Sequence, residues 1–374
     1  MLVVAASLHL VRMDLVHAFQ TSSHRKSHLD HVLVRLVDVS GAEAWGEIAS
    51  PADPYYNTED VETCWHVAST YLLPALLGAQ WDDPREVSAL WRRVRGHEFA
   101  KAGVDAAAWT LWATERGLPL AEAVGGTRSE VVAGVSLGIE ATIDQLLAQV
   151  QLQVDAGYPR VKLKIAPGWD VEPVAATRAA FPGLDLHVDG NGGYTETDEH
   201  LRALRGLDEH RLTMIEQPFA PRALLAHARL QQQVSTPICL DESVETLADL
   251  ELALELDAGR VLNIKVSRMG GITNAIAAHE LATSRGLPVW CGGMHEFGIG
   301  RAVNVAVSSL PGFTLPSDVS GSDKYYERDV IVPPVVATAG VVQVPTGPGL
   351  GFEVDRERID ACTLRTTELA GGPE

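Results

Sequence analysis

VKLKI (161–165), DLHVDG (185–190), TMIEQ (213–217), PICLDES (237–243) and VLNIK (261–265) are five short apolar runs, each carrying a lysine or a carboxylate at or near its end. Runs of the same kind begin at Val132 (VAGVSL), Pro288 (PVWCGG) and Gly312 (GFTLPSD), so eight follow one another at intervals of 24 to 29 residues. Helix-like patterns occupy the gaps, as in ATIDQLLAQVQLQVDAG (141–157), LLAHARLQQQV (224–234) and TNAIAAHELATSRG (273–286). The last of these closes on a cation and a glycine, a common helix ending. Strands that alternate with helices at this spacing pair in parallel. Eight such strands predict an α/β fold of the TIM-barrel type, in the modified form (β/α)7β because the final helix is not evident. A doubly wound open sheet is the alternative, but it would carry a Gly-rich phosphate turn after its first strand, and none is present.

The flanks read differently. Alternating runs at 2–12, 31–38 and 43–47, then helical stretches near 59–78, 84–94 and 98–116, predict an N-terminal α+β capping domain over residues 1–130. Residues 131–323 form the barrel. Beyond 324 the βα rhythm gives way to Val, Pro and Gly, and this segment, 324–374, is expected to return and complete the cap. A chain of 374 residues is long enough for both units. Its formal net charge of −19 argues against a nucleic-acid or anionic-membrane partner. The same charge means that a small anionic substrate needs local cations or a metal to hold it. No run reaches the ~18 apolar residues of a membrane span. The opening MLVVAASLHLVRMDL reads as a strand rather than a signal peptide. The four cysteines, Cys64, Cys239, Cys291 and Cys362, form no CxxC and demand no oxidising compartment, so the cytoplasm is the expected location.

Only six of the 30 basic residues are lysines, and three of those six are Lys162, Lys164 and Lys265. A chain that prefers arginine for generic cations spends lysine where a proton has to be lost and regained. Strand residues i and i+2 share a face, so Lys162 and Lys164 point together into the barrel mouth. Asp189, Glu216 and Asp241 end strands three, four and five, one βα unit apart, which brings three carboxylates to one side of that mouth. Unneutralised, they would repel one another. All-oxygen ligation suits Mg²⁺, with Mn²⁺ or another divalent cation in its place. Taken singly, any of them reads as a cap or a salt-bridge partner, as Asp241-Glu242-Ser243 does at a helix start. Lys164 and Lys265 end strands two and six, nearly opposite across the ring with the metal site between. That arrangement predicts an enzyme removing the α-proton of a carboxylate substrate. A barrel keeping a structural metal as a scaffold is the non-enzymatic alternative, but it has no need of bases on two faces. Gly298-x-Gly300-Arg301, after strand seven, reads as a helix start that binds an anion or as an ordinary loop-to-helix turn.

These residues in this order resemble the muconate-lactonizing subgroup of the enolase superfamily. VKLKIAPGWDVEPV (161–174), IEQPF (215–219), TPICLDES (236–243), PVWCGGM (288–294), GIGRAVNVA (298–306), SLPGFTLPSD (309–318) and VPTGPGLG (344–351) resemble its o-succinylbenzoate synthases and N-succinylamino acid racemases. The resemblance implies Lys164 and Lys265 as the acid/base pair, Lys162 as electrostatic support, and a metal-stabilised enediolate intermediate. It implies syn-dehydration to o-succinylbenzoate, within menaquinone biosynthesis, or racemisation of N-acylamino acids. Cycloisomerisation and dipeptide epimerisation fit the longer stretches less well. It also implies a homo-oligomer and a small carboxylate substrate met by Asn191, Glu242, Gly293, Met294, His295 and Arg301. The cap would add Phe19, Tyr55 and Tyr56 from AFQTSSHRK (18–26) and ADPYY (52–56). Two places depart from the family pattern: Val266-Ser267 stands for the usual Pro-Gly, and His295-Glu296-Phe297 for an aliphatic-Glu-Thr sequence. His295 reads as a surface or capping histidine, or as a polar group that alters substrate choice.

Overall fold

Alternation of apolar and polar residues sends one face of the N-terminal strands into a core, and the chain folds there as an antiparallel meander. Its strands are β1 (Val3–Gln20), β2 (Arg25–Asp38) and β3 (Glu43–Ile48). The computed structural model describes residues 1–20 and 25–371, without the side chains of 18–20 and 25. A fourth strand comes from the far end of the chain, where Thr363–Ala370 runs antiparallel along β1. The long helix Glu98–Glu115 lies across the sheet, burying Val104, Ala107 and Leu111 against Leu8, Val34 and Ile48. Two glycines set that distance. A Cβ on Gly46 would collide with the Gly103 carbonyl, and one on Gly103 with Ile48.

Seven parallel strands follow in sequence order: Val135–Leu137, Arg160–Lys164, Asp185–Asp189, Met214–Glu216, Ile238–Leu240, Val261–Ile264 and Val289–Cys291. Helices such as Ile143–Asp155 and Ile272–Ser284 connect them. Val161, Leu163 and Ile165 face outward into a core shared with Leu146, Val150 and Val174. The runs at the two ends behave less regularly than expected. GFTLPSD forms no regular strand but bridges in parallel from Phe313 to Val289 and from Ser317 to Ala133, spanning the gap between strands seven and one. Pro316, which has no N–H to donate, interrupts it. VAGVSL divides: Glu130–Val132 pairs antiparallel with Val341–Gln343, and only Val135–Leu137 joins the barrel. The division falls at Gly134, where any side chain would strike the Arg160 guanidinium.

One of the places where cap and barrel meet is Glu47, near the end of β3. Its carboxylate accepts hydrogen bonds from the backbone N–H groups of Phe297 (2.8 Å) and Gly300 (2.7 Å), and pairs with His31 Nδ1 at 2.7 Å. Gly298 N–H donates to Asp329 at 2.7 Å. The start of helix Gly298–Ser308 is therefore filled by the protein's own carboxylates, which corrects the reading of it as an anion-binding turn.

The contact between Gly46 and Gly103 gives a direct stability test. Gly46→Ala is expected to lower unfolding stability by about 1–3 kcal/mol or more, because the clash is with backbone that cannot repack. A shift of the denaturant midpoint measures it, and an unchanged midpoint refutes it.

Candidate active site

The inward face of strand Arg160–Lys164 delivers two ammonium groups to the carboxylates of the next strands. Lys162, buried, lies 2.9 Å from Glu216 Oε2, 3.0 Å from Asp318 Oδ2 and 3.7 Å from Asp189 Oδ2. Lys164, partly buried, donates to Asp189 Oδ2 and to Asn191 Oδ1, both at 2.6 Å. Across the mouth, Lys265 donates to Asp241 Oδ2 at 2.7 Å and to the Tyr56 hydroxyl of the cap at 2.9 Å. Arg268 pairs with the other oxygen of Asp241, and Asn263 Nδ2 donates to Glu216 Oε1 at 2.7 Å. Asn191, at φ +42°, also donates from Nδ2 to Glu242 at 2.9 Å. One oxygen from each of Asp189, Glu216 and Asp241 lies within 4.8 Å of the other two, and all three residues are buried.

The electrostatics follow from that crowding. Burial, then the charge of Asp189, pushes Glu216 up to about 8 against the pull of Lys162. Glu242 is raised to about 7 by burial and by Asp241. Burial works against the charged form of Asp241 too, yet Lys265 and Arg268 together hold its carboxyl well below the usual range. Burial would strip the proton from Lys265, but Asp241 and its neighbours outweigh burial and hold the ammonium form well above the usual lysine value. Three buried carboxylates with one raised acid among them form a donor set suited to a hard divalent cation.

A cavity of about 310 Å³ opens above these groups. Asn191, Glu242, Gly293, Met294, His295, Arg301 and Tyr55 all line it, as do Lys162, Lys164 and Lys265. The side chain of Phe19 lies outside the described residues. Tyr55 is 70% exposed at the rim, whereas Tyr56 turns inward to Lys265. His295 is half-buried in the cavity wall and does not cap the helix that follows, whose N-cap is Phe297. It adopts φ +62°, packs its ring 5.0 Å from Tyr325 and faces the cavity, and burial followed by Arg301 and Lys164 lowers it to about 3. Arg301, which is buried, donates to the Ser320 (2.7 Å) and Glu296 (3.0 Å) carbonyls and lies under the Tyr325 ring. Val266 and Ser267 are buried and are not among the residues lining this cavity.

Sequence reasoning missed Asp318, Arg268 and Asn263. Asp318 joins Arg160 at 2.7 Å to Lys162, and these two cations hold its carboxyl below the usual range although it is partly buried. The signal for it was present in SLPGFTLPSD, whose final residue stands where an eighth strand would end. Asn263 was equally accessible, being two residues before Lys265 and so on the same strand face.

Two family descriptions match the chain. "Mandelate racemase / muconate lactonizing enzyme, N-terminal domain" covers residues 6–125, and "Enolase C-terminal domain-like" covers 145–358. The chain is 42% identical to the o-succinylbenzoate synthase of Geobacillus kaustophilus, over 95% of this chain and 94% of that one. It is 43% identical to the N-succinylamino acid racemase of an Amycolatopsis species, over 95% and 96%. The crystal structure of an enolase-superfamily member from Listeria innocua superposes with a TM-score of 0.96 at 34% identity, covering all of both chains. With both halves matched and relatives this similar along nearly the whole length, the chain belongs to the enolase superfamily of enzymes, in its mandelate racemase / muconate lactonizing branch.

Proposed function

We propose that this enzyme removes the α-proton of a small carboxylate, with Lys164 and Lys265 as acid/base groups and Asp189, Glu216 and Asp241 as ligands of Mg²⁺. The observation that carries the reading is the approach of these three carboxylates to within 4.8 Å beneath a cavity whose walls hold both lysines. When bound, a divalent cation would supply fixed positive charge for the substrate carboxylate and take over the neutralisation that the ammonium groups provide. The lysines then do the proton work. One takes the α-proton from its face of the carbon. In racemisation the other lysine returns a proton to the opposite face. In syn-dehydration Lys164 takes the proton and passes it to the departing β-hydroxyl on the same side, while Lys265 stabilises the negative charge. Lys162, fixed between Glu216 and Asp318, contributes charge rather than proton transfer. Tyr56 and Asn191 orient the two bases by holding their ammonium groups.

The names of the relatives support o-succinylbenzoate formation and N-succinylamino acid racemisation as the two reactions; the menaquinone route, as the setting of the first, is part of the proposal. The domain division at 130 and 323, a cytoplasmic setting and a homo-oligomeric state belong to the same reading. The four cysteines, all free, agree with a reducing compartment.

Three outcomes are expected. With Mg²⁺ in D₂O, N-succinyl-L-phenylalanine exchanges its α-proton, followed by NMR, and loses optical rotation. No exchange and no dehydration activity would sink the reading. Lys164→Ala and Lys265→Ala each lower turnover by about 100-fold or more, and normal rates in both would reassign the bases. Because Glu216 is raised to about 8, a divalent cation competes with its proton. Metal binding at pH 7 therefore releases protons and tightens as pH climbs toward 8; calorimetry in buffers of different ionisation heat reads this directly, and pH-independent binding would show that no proton leaves Glu216 when the metal enters.

A further inference from the structure

Five cations line the cavity, and four of them are committed. Lys162, Lys164 and Lys265 are paired with Glu216, Asp189 and Asp241. Arg301 spends both terminal nitrogens on main-chain carbonyls. The fifth is Lys26, near the start of β2. Among the described residues its ammonium group makes no hydrogen bond and no ion pair, although the side chain lines the cavity. Asp53 and Asp30 are the acids that act on it, from beyond ion-pair distance. Asp53 is exposed, and Asp30 is already held by Arg12 through two hydrogen bonds of 2.7 and 2.6 Å.

An ammonium group drawn partly out of water without a counter-ion costs stability. Burial accordingly lowers Lys26 below the ordinary lysine value, with only partial opposition from the two acids. It is one of only six lysines in a chain of net charge −19, where surface acids offer counter-ions on most sides. Its charge also reaches His295 across the cavity, where Lys26, Arg301 and Lys164 all oppose protonation of the ring. The wall above the catalytic groups thus carries one ammonium group, that of Lys26, that no neighbouring acid pairs with.

Resting on the α-proton reading above, we propose that Lys26 binds a second carboxylate of the substrate, at the far end of its acyl group, and so selects dicarboxylates over monocarboxylates. The reacting carboxylate is oriented at the acidic triad, and the distal one closes the ion pair that Lys26 lacks. Arg301 adds positive charge to the same wall and requires no movement to do so. Lys26 touches the substrate away from the reacting carbon, so its effect falls on binding rather than on proton transfer.

N-succinyl-L-phenylalanine and N-acetyl-L-phenylalanine both carry an amide and an α-carboxylate, but only the first has a distal carboxylate. Binding of each to wild-type protein and to Lys26→Met, measured by calorimetry with Mg²⁺ present, needs no turnover. The expected result is a loss of about 10- to 100-fold in succinyl affinity with acetyl affinity unchanged, and recovery in Lys26→Arg. Acetyl binding doubles as the control for a folded cavity. Equal losses on both ligands, or none on either, would overturn the proposal. Absence of α-proton exchange alongside a selective loss of succinyl binding would overturn the proposed chemistry and leave the role of Lys26 standing.

Discussion

Mutual repulsion among three buried carboxylates is the constraint around which the rest of the molecule is arranged. Asp189, Glu216 and Asp241 lie on consecutive strands of one parallel sheet, so the backbone leaves them no room to move apart. The cationic neighbours answer that fact. Lys162 and Lys164 arrive from the strand on one side, Lys265 and Arg268 from the strand and turn on the other. In the proposed chemistry two of the same neutralising groups, Lys164 and Lys265, also move the proton, so one arrangement would satisfy both folding and chemistry. Buried acids held at different proton affinities, Glu216 raised and Asp241 depressed, show how position alone separates chemically similar side chains.

The cap completes the site rather than merely covering it. Tyr56 holds Lys265, Lys26 faces the cavity, and residues of the first two strands line its upper wall. Side chains from both ends of the chain therefore depend on one meander whose fourth strand is Thr363–Ala370. A cap that brings its own polar groups also displaces water from the mouth, and charges inside act on one another more strongly for it.

The barrel and its acidic triad were legible because strand periodicity and parallel pairing leave few choices: a residue at the end of a strand in a βα repeat has to reach the mouth. The less regular parts were harder to read. VAGVSL looks continuous in sequence, but packing of Gly134 against Arg160 divides it between two sheets. Arg268 lies in the turn after Lys265, where strand alternation no longer predicts direction. Tyr55 and Tyr56 are adjacent, and only the path of the loop distinguishes the rim residue from the one that reaches Lys265. The helix beginning at Gly298 has a glycine pattern that fits an anion site and an ordinary loop-to-helix turn equally well, and the carboxylates that fill its start come from 250 residues earlier and 31 later. His295 resisted assignment because its direction depends on a left-handed backbone conformation that is uncommon for histidine.

The joint at Glu47 has an uneven chemistry. On the cap side a single carboxylate carries the contact, while on the barrel side the partners are the peptide groups of Phe297 and Gly300. Peptide N–H groups survive every substitution except proline, whereas a carboxylate is lost by a single change. Sequence drift in the barrel loop can therefore remodel the cavity wall through neighbours such as His295 while keeping these hydrogen bonds, and other cap side chains, Asp105 on Thr273 and Tyr56 on Lys265, share the work of holding the two halves in register. A protein hinged in this way is free to change what it recognises without losing the alignment on which its chemistry depends.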